Sequence, residues 1–584
     1  MNDDPGSPRQ RIVAIAAGVL LYLAFWGIGQ TDPGLGITYH PPFNSSSHGE
    51  IYFWLAHALL LFPGACLLGY GLSPWVAPYL RRLWNASAGL GDRKTIGVLL
   101  AIGLVGTICF RLLHRFVLLD FPITDDEYGV RFGGQLLASG MLRTPTLGLD
   151  PFIPTFTMHV KEGLMSSFDW LGPQLAWALG EKTGLGGSWV HALFAAVPLV
   201  VVPFWVGRRF GRCWGAVALV FFFFSPMAFA LSMTTHTHLL SRAFLAVGLW
   251  LYWEAGERQV LGWWAACGLA LGVAFLCRPF ETSFIALPFL IDAVFRFAIR
   301  KQGAARAVFG LLIGAVGPLL LFAVYNYSFS GNALLPTRFM PGGWGQFDLE
   351  SLEKPWTAGV IWTRFGANTG YNLLMLSIWF LGPLGIVLVM AGALVDRLTK
   401  LLGLSVLSVL LLGLLHDDHG IHSVGPIHYS ECAVPLAFIS VAGLKRITDR
   451  LRALGLDSRV PACCVVFALL VGLGTFNTWN SLALRKQAQI QQGVYGFLET
   501  SGIGNAVVLA DQFALTWSQI PEYQSVGSWV FEWRPPRPDF SDDILIFHAS
   551  SGAKFELAAA FPDRTLFRLT SHDTHPVLRL KRLD

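Results

Sequence analysis

Long apolar stretches recur along this chain of 584 residues and limit its fold more than any other feature. A helix that crosses a bilayer needs about 20 mostly apolar residues, and by that measure about thirteen stretches qualify. Only 14% of the residues are charged, against roughly a quarter in soluble domains. The sequence therefore predicts a polytopic α-helical membrane protein with about 13 transmembrane helices. The predicted spans begin near Ile12, Ile51, Ile96, Trp189, Trp214, Leu239, Leu261, Phe284, Ala307, Leu373, Leu401, Tyr429 and Val460.

The distribution of basic residues predicts which loops face the cytoplasm. With Arg9 and Arg11 placed inside, later basic clusters such as 81–94 and 208–212 also fall inside. The short loops on the other side contain no Lys or Arg; they are 31–50, 233–238 and 416–429. We therefore predict a multi-pass protein of the inner (plasma) membrane with a cytoplasmic N-terminus. The net charge of +5 lies mostly in short loops, so we expect no nucleic-acid partner.

Three regions on the predicted outer side are large. The first carries an acidic run and amphipathic stretches such as 133–142, and the second is rich in Gly, Pro and aromatic residues. The third is a polar tail with strand-like runs at 506–509, 544–547, 565–569 and 577–580, which predict a small C-terminal extracytoplasmic α/β domain. The predicted division is an added N-terminal transmembrane helix pair with a cytoplasmic loop (1–95), a transmembrane core (96–480) with outer loops 114–188 and 326–372, and the C-terminal domain (491–584).

The eight cysteines fall almost entirely within apolar runs, and none forms a Cys-x-x-Cys pair. We interpret them as small hydrophobic residues in helices and not as disulfides or metal ligands.

Four local patterns, in the same order and on the same predicted side, are similar to those of a known group. They are Asp126-Glu127 followed by Ala138-Ser139-Gly140, the segment 272–279 ending in Arg278-Pro279, Tyr325-Asn326 with Gly331-Asn332, and Gly425-Pro426-Ile427-His428-Tyr429 followed by Pro435. Between about Asp120 and Leu444 the chain resembles membrane glycosyltransferases of the GT-C type. That group includes the protein O-mannosyltransferases and the bacterial enzymes that add aminoarabinose to lipid A.

The resemblance implies a fold and a reaction. Its members transfer a sugar from a polyprenyl-phosphate carrier to an acceptor hydroxyl, with inversion at the sugar carbon. It implies three partners, namely a polyprenyl-phosphate-linked sugar donor, the lipid bilayer, and a glycan, lipid or protein acceptor. The sequence departs from the pattern of this group at two places. Residues 12–72 look like an added helix pair, and His428 stands where relatives often have Arg.

The acidic run supplies the candidate catalytic residues. An alcohol is a poor nucleophile at neutral pH, so a carboxylate within hydrogen-bonding reach would assist it as a general base. Asp126 is the first candidate, followed by Asp125 and Glu127. Carboxylates at a membrane boundary are costly unless they face water, a partner charge or a substrate. The alternative is a solvated loop or a helix N-cap.

Arginines near the outer ends of helices are candidates for binding the donor phosphate, since a bidentate guanidinium suits a phosphate that gains charge as its bond breaks. Arg278 comes first, then Arg338 and Arg242. The alternative for Arg278 is a side chain that reaches lipid headgroups in general.

A further set of residues is predicted to line the acceptor or donor cavity: Tyr128, His236, His238, His428 and Tyr429. The resemblance requires no cofactor, but a divalent metal could bind the run that contains His416, Asp417 and His419. The alternative for that run is a polar loop that lines the acceptor cavity.

Two other classes of function stay open at this point. A transporter or flippase of lipid-linked envelope material would have charges buried in mid-helix, and few are visible. A non-catalytic protein of envelope assembly or polymer export would bind its partners through the tail.

Overall fold

The structure is a computed structural model that describes residues 7–31, 55–153, 158–340, 353, 355–414, 421–422, 424–455, 459–510, 533–549, 553–571 and 578–583. It is mostly helical. The helices are α1 (Pro8–Thr31), α2 (Phe62–Ala88, after a π-turn at His57–Leu61), α3 (Asp92–Phe116), α4 (Asp125–Ala138), α5 (Leu171–Lys182), α6 (Gly187–Phe210), α7 (Arg212–Phe224), α8 (Pro226–Leu231), α9 (His238–Arg258), α10 (Leu261–Cys277), α11 (Pro279–Ala298), α12 (Ala304–Ser330), α13 (Ala358–Ile361), α14 (Asn368–Trp379), α15 (Gly382–Gly392), α16 (Arg397–Leu410), α17 (Ala433–Ala453), α18 (Arg459–Phe467), α19 (Gly474–Thr500) and α20 (Ala553–Ala560).

Several of these helices are suited to a bilayer. Within the described residues, 7 helices are long and apolar enough to cross a membrane, or 8 if one pair bent by 103° counts as a single span. That pair comprises Ala358–Trp379 and Gly382–Gly392. The prediction of a multi-pass helical membrane protein is confirmed. The number of about 13 spans stays a prediction.

The helices differ in how far their surface is covered by the rest of the protein. In the most apolar part of the segment Ile427–Ala453, which contains α17, 89% of the residues are buried, whereas for α12 the share is 22%. Trp205 of α6 packs against Phe438 of α17, with their ring centroids 4.4 Å apart. Helix α17 therefore lies inside the bundle, and α12 presents apolar side chains such as Ile313 and Leu320 outward, as a lipid-facing helix does.

Glycines let two of these helices cross in direct backbone contact. A Cβ atom added to Gly443 of α17 would lie 2.0 Å from the carbonyl oxygen of Leu388 in α15. A Cβ atom added to Gly392 of α15 would lie equally close, at 2.0 Å, to the carbonyl oxygen of Ile439. Small residues at such crossings are a common means of packing helices in membranes.

The N-terminal helix pair packs against the end of the helical region. Helix α1 packs on α2, and α2 in turn packs on α18. A Cβ atom added to Gly69 of α2 would lie 2.6 Å from the Cα atom of Cys464. The pair is therefore attached through α18, and the domain boundary near residue 95 stays a prediction.

Strands lie at one end of the helical bundle and in the tail. In the first large loop, β1 (Thr144–Pro145), β2 (Met158–Lys161) and β3 (Leu164–Ser167) form an antiparallel sheet with the order β1-β3-β2. A short pair, β4 (Ile421–His422) and β5 (Gly425–Pro426), precedes α17. The tail contains β6 (Ala506–Ala510), β7 (Ile544–His548), β8 (Thr565–Ser571) and β9 (Leu578–Arg582).

The tail sheet has the order β7-β6-β8-β9, with β6 parallel to β7 and β8, and β9 antiparallel to β8. These strands lie where the sequence predicted them. They share one apolar cluster with the first loop, in which Phe132 and Leu136 of α4 and Met165 of β3 meet Val507 and Phe547. The tail sheet thus covers one face of α4, which is the helix that starts in the acidic run.

We predict that Gly443→Ala lowers the thermal midpoint of the detergent-solubilised protein, because the added methyl group meets a backbone carbonyl that cannot move without separating two helices. Gly256→Ala in α9 is the matched control, since nothing lies within 4 Å of its added Cβ atom. We expect the control to leave the midpoint unchanged or to raise it, since Ala favours helices. Equal midpoints for Gly443→Ala and the wild type would contradict the close crossing.

Candidate functional site

The acidic run forms the first turn of α4, and its sequence explains why a helix starts there. Thr124 is the N-cap residue, and Glu127 three positions later completes a capping box. Consecutive carboxylates in the first turn are favoured by the positive end of the helix dipole. The acidic run therefore starts a helix, which agrees with the alternative of a helix N-cap. It also places Asp126 in the interior of the protein.

Glu127 has a complete set of hydrogen-bond donors and is 0% exposed. Its Oε1 accepts from the backbone N–H of Ile123 at 3.0 Å and from the backbone N–H and hydroxyl of Thr124, both at 3.3 Å. Its Oε2 accepts from the backbone N–H and the hydroxyl of Thr235, both at 2.7 Å. These contacts fasten α4 to the segment before α9, and they leave Glu127 poorly suited to accept a substrate proton.

Asp126 lies between two arginines and a histidine and is 5% exposed. Its Oδ1 is 3.4 Å from Nη1 of Arg338, and its Oδ2 is 3.3 Å from Nε2 of His236 and 3.8 Å from Nη1 of Arg278. The four residues come from α4, the turn before α9, the break between α10 and α11, and a 3₁₀ turn at Thr337–Phe339. The structure thus brings together four of the predicted site residues.

Arg278 occupies the break between two helices, where Pro279 starts α11. Its Nη2 and Nε donate to Oε1 of Glu281 at 2.6 and 3.2 Å, and the side chain is almost fully buried. Its Nη1 makes looser contacts, with Oγ1 of Thr237 at 3.4 Å and with Asp126. One edge of the guanidinium is therefore fixed by Glu281, and the other edge points toward Asp126.

The predicted cavity histidines form a connected network. The rings of His236 and His238 stack with centroids 5.0 Å apart. Nδ1 of His238 is 2.8 Å from Oε1 of Glu431, and Nδ1 of His428 is 2.8 Å from Oε1 of Glu281. His428 is the partly exposed member, at 21% of its side chain. Its contact with Glu281 and Arg278 gives it a role in the arginine cluster even though relatives often have Arg at this position.

Asp169, just before α5, is a buried carboxyl that the sequence analysis missed. It is 1% exposed, and its Oδ1 accepts from the backbone N–H of Trp170 at 2.7 Å. Burial, together with the nearby charge of Asp126, raises the pKa of Asp169 to about 8, although Arg338 opposes the shift. Asp169 therefore keeps a proton at pH values where an ordinary aspartate has lost it.

The two predicted tyrosines are buried in supporting positions. The hydroxyl of Tyr128 donates to Oε1 of Gln491 in α19 at 3.4 Å, and Asn372 donates to the hydroxyl of Tyr429 at 3.0 Å. Both rings are 2% exposed. Their described contacts join α4 to α19 and α14 to the 3₁₀ turn before α17.

Arg242, which was predicted to bind the donor phosphate, contacts residues in and next to α8. It is 0% exposed, and it donates to the carbonyl oxygens of Met227 and Ala228 at 3.5 and 3.3 Å and to the hydroxyl of Ser232 at 2.8 Å. Its guanidinium also lies over the ring of Phe222, 5.5 Å from the centroid. These contacts hold the region around α8 together.

Some predicted residues cannot be placed. The side chain of Asp125 and the metal candidates His416, Asp417 and His419 lie outside the described residues.

Three carboxyl groups of the network were missed by the sequence analysis: Asp169, Glu281 and Glu431. Two of them follow recognised motifs closely, Glu281 after Arg278-Pro279 and Glu431 after His428-Tyr429. Glu281 and Glu431 could have been predicted as site residues, because a charged residue so close to an apolar helix is unusual. The sequence around Asp169 contained no comparable signal.

This arrangement has a definite chemical capability. A carboxylate with an imidazole beside it can take a proton from a hydroxyl group. Two guanidinium groups within 4 Å of the same carboxylate can bind an anion and stabilise charge that develops on it. The site therefore suits a reaction in which a hydroxyl group attacks and an anionic group departs.

One segment of the chain matches a known protein family. Residues 168–330 match the model of the family described as dolichyl-phosphate-mannose-protein mannosyltransferase. That segment begins at the residue before Asp169 and includes His236, His238, Arg278 and Glu281. The predicted resemblance to glycosyltransferases of the GT-C type is confirmed by this match. A search of curated proteins finds no match to the chain.

Two solved proteins are among the similar structures. The crystal structure of ArnT from Cupriavidus metallidurans in the apo state is 15% identical, with a TM-score of 0.46 over 80% of this chain and 93% of that chain. The same protein bound to undecaprenyl phosphate is 13% identical, with a TM-score of 0.45 over 83% and 94%. The oligosaccharyltransferase of Archaeoglobus fulgidus, in complex with Zn and sulfate, is 12% identical, with a TM-score of 0.43 over 80% and 62%.

The raised pKa of Asp169 predicts a pH-dependent stability. The folded protein holds this proton to about pH 8, whereas an unfolded chain releases it near the ordinary value of 3.8. The folded state therefore binds more protons in that window, and its stability falls as the pH rises from about 4 to about 8. Asp169→Asn cannot ionise, so the thermal midpoint of the variant relative to the wild type should increase between pH 5 and pH 8. A difference that stays constant with pH would contradict the buried, protonated carboxyl.

Proposed function

We propose that this protein is a membrane glycosyltransferase that moves a sugar from a polyprenyl-phosphate-sugar donor to an acceptor hydroxyl on the outer face of the membrane, with inversion. The observation that carries the proposal is the buried carboxylate of Asp126, which has Arg278, Arg338 and His236 within 4 Å. The family that matches residues 168–330 is named for a donor of this class, dolichyl phosphate mannose, which supports the choice of donor.

Asp126 is the proposed general base. Of the two neighbouring carboxylates whose side chains are described, Glu127 already accepts from five donors, while the ion-pair contacts of Asp126 with Arg338, His236 and Arg278 are 3.3 to 3.8 Å long. Strong charge-assisted hydrogen bonds are about 2.7–2.9 Å, so these contacts are loose. An acceptor hydroxyl that approaches Asp126 therefore competes with ion pairs that are longer than such bonds.

Arg278 and Arg338 are the proposed ligands of the donor phosphate. Glu281 fixes the orientation of Arg278 but leaves its Nη1 weakly engaged, and Arg338 is held over the ring of Phe168 at 5.3 Å from the centroid. Both guanidinium groups are preorganised in a largely dry site, where they stabilise developing charge more strongly than in water.

The proposed reaction is a single displacement. The acceptor oxygen forms a bond to the anomeric carbon as its proton passes to Asp126, and the bond from that carbon to the phosphate oxygen breaks. The electron pair of that bond goes to the polyprenyl phosphate, whose charge is balanced by the arginines. One displacement inverts the configuration at the sugar carbon. The acceptor is a hydroxyl group of a glycan, a lipid or a protein.

Location follows from the same proposal. The protein is an integral protein of the inner (plasma) membrane, with its N-terminus in the cytoplasm and its tail sheet outside. The site and the tail sheet lie on the same side, since both contact α4.

We predict that Asp126→Asn lowers sugar transfer by about 10²- to 10⁴-fold, the usual contribution of a general base. The measurement is transfer of labelled sugar from the membrane pool of polyprenyl-phosphate sugars at equal protein levels. Asp120→Asn, in the same loop but 45% exposed and paired with Arg111, is the matched control and should retain activity.

The same experiment separates catalysis from transport. A transporter or an assembly protein would make no labelled product with either the wild type or Asp126→Asn, and its own function would be little affected by this substitution.

We predict that Glu127→Gln lowers the thermal midpoint of the protein, because the NH₂ group of the glutamine would face the donors that now bind the carboxylate.

We also predict that Arg278→Gln lowers transfer about 100-fold or more, because it removes a donor that faces the developing charge. Arg278→Lys keeps the charge but loses the fork that Glu281 holds, so we expect only partial recovery. Arg306→Gln, an exposed arginine at the start of α12, is the control. Full activity of Arg278→Gln would remove this residue from the proposed phosphate site.

A further inference from the structure

Three arginines meet at a narrow cleft between α4 and the segment that leads into β7. Arg131 lies in the second turn of α4, and Arg534 and Arg537 precede β7. The cleft encloses about 240 Å³ of empty space, part of it open to solvent, and Asp542 is the one acidic residue among the described residues that line it. We propose that this cleft binds one oxyanionic group, a phosphate or a carboxylate. The site goes beyond the proposed transfer reaction and does not depend on it.

The sequence of α4 creates one wall of the cleft. Tyr128, Arg131, Phe132 and Gln135 are spaced three and four positions apart, so they share one face of the helix. Phe132 is buried in the apolar cluster that α4 shares with the tail sheet. Arg131 is partly buried beside it. An arginine can lay its methylene groups along an apolar surface while its guanidinium reaches more open space, which here is the cleft.

The other wall is a turn held by backbone contacts. The backbone N–H of Arg534 donates to the hydroxyl of Tyr495 at 2.8 Å, and its guanidinium lies 5.8 Å from the centroid of that ring. The carbonyl oxygen of Arg537 accepts from the backbone N–H of Phe540 at 2.9 Å. The backbone N–H of Arg537 donates to Oδ2 of Asp542 at 2.6 Å. Groups that are already held in place lose little freedom when they bind a ligand.

The positive charge of the cleft exceeds the negative charge. Oδ1 of Asp542 is 3.5 Å from Nε of Arg537 and 3.9 Å from Nη2 of Arg534. Strong charge-assisted hydrogen bonds are about 2.7–2.9 Å, so neither ion pair is close. Asp539, in the same turn, accepts from the backbone N–H of Ser541 at 3.1 Å. Even if Asp539 is counted, two carboxylates face three guanidinium groups, and one positive charge is left over.

Arg131 is the arginine whose charge is least compensated. Within the described residues its side chain makes no hydrogen bond or ion pair. Burial lowers the pKa of Arg131, and the charges of Arg534 and Arg537 lower it further. Tyr128 and Asp542 oppose that shift. A guanidinium group nevertheless keeps its proton in proteins, so the repulsion is not removed by ionisation. A bound oxyanion removes it.

The donors of the cleft select the ligand. Guanidinium groups bind phosphate and carboxylate through paired N–H bonds, and the amide of Gln135 is a further donor in the cleft. The side chains of Arg534 and Arg537 are 41% and 56% exposed, so the rest of a larger ligand can stay outside. The described lining residues all lie outside the helices that could span a membrane, so the ligand arrives from the aqueous side.

This cleft is distinct from the proposed donor site. Arg131 follows Asp126 by five positions, which is about 7 Å along a helix and about 140° around it. The two side chains therefore leave α4 in different directions. The arginines that contact Asp126 are Arg278 and Arg338, and neither lines the cleft.

The test is calorimetric titration of the full-length protein in detergent with inorganic phosphate, in a chloride buffer of constant ionic strength. The proposed donor site also binds phosphate, so Arg278→Gln is titrated beside the wild type. We expect Arg278→Gln to retain phosphate binding in the cleft. Arg131→Gln should weaken that binding about 10- to 100-fold, the usual contribution of a hydrogen bond to a charged group. No sugar donor or acceptor is present, so the result is independent of the transfer assay.

Further variants separate binding from folding. Asp542→Asn keeps an oxygen for the backbone N–H of Arg537 but loses the negative charge, so it should tighten phosphate binding. A purely structural role of the cleft predicts no such gain. Arg579→Gln, on an exposed position of β9, is the matched control and should bind as the wild type does. The thermal midpoint without phosphate verifies that each variant is folded, and Arg131→Gln should not lower it, because it removes a repulsive charge.

The choice of probe reveals the source of the anionic group. Glucose 1-phosphate and glucuronate carry the same two chemistries on a sugar. If the cleft takes a group of a larger ligand, one of these probes binds at least as tightly as inorganic phosphate and is weakened by Arg131→Gln. If the cleft takes a free ion, only inorganic phosphate binds there.

Two outcomes would overturn the proposal. One is a folded wild-type protein that binds none of the three anions. The other is phosphate binding that is unchanged in Arg131→Gln and lost in Arg278→Gln, which would leave the proposed donor site as the place where phosphate binds.

Discussion

The buried carboxylate of Glu127 is the contact on which the site depends. It joins the start of α4 to the backbone and hydroxyl of Thr235, which lies 108 residues further along the chain. Because Asp126 precedes Glu127 and His236 follows Thr235, this one contact sets both halves of the Asp126–His236 pair. A carboxylate with all its acceptor positions filled is stable in a dry interior. Glu127 thus fixes the first turn of α4, and with it the position of Asp126.

Arg278 applies the same principle to positive charge. Glu281 holds one edge of the guanidinium at 2.6 Å, and the other edge reaches toward Asp126 at 3.8 Å. In each case a carboxylate with close hydrogen bonds positions a charged neighbour: Glu127 positions Asp126, and Glu281 positions Arg278. Preorganised groups of this kind need little rearrangement when charge develops, which is the main electrostatic advantage of an enzyme site.

The sequence predicted the parts of this protein that depend on local patterns. Apolar runs located the helices, and short strand-like runs located the tail strands, because both follow from which residues leave water. Asp126 and Arg278 were found because charges at membrane boundaries are conspicuous. The partners could not be found in this way, since Glu431 meets His238 across 193 residues. The same limit applies to Arg242, whose place beside α8 depends on tertiary packing.

The tail sheet packs against α4, the helix whose first turn carries Asp126. Phe132 and Leu136 pack against Val507 and Phe547, while the first turn of the same helix carries Asp126. Tyr128 of α4 also donates to Gln491 of α19, which leads into the sheet. The close packing of this helix of 14 residues with the sheet and with α19 restricts its movement. The packing of the tail sheet therefore helps to fix the position of the carboxylate that we propose as the base.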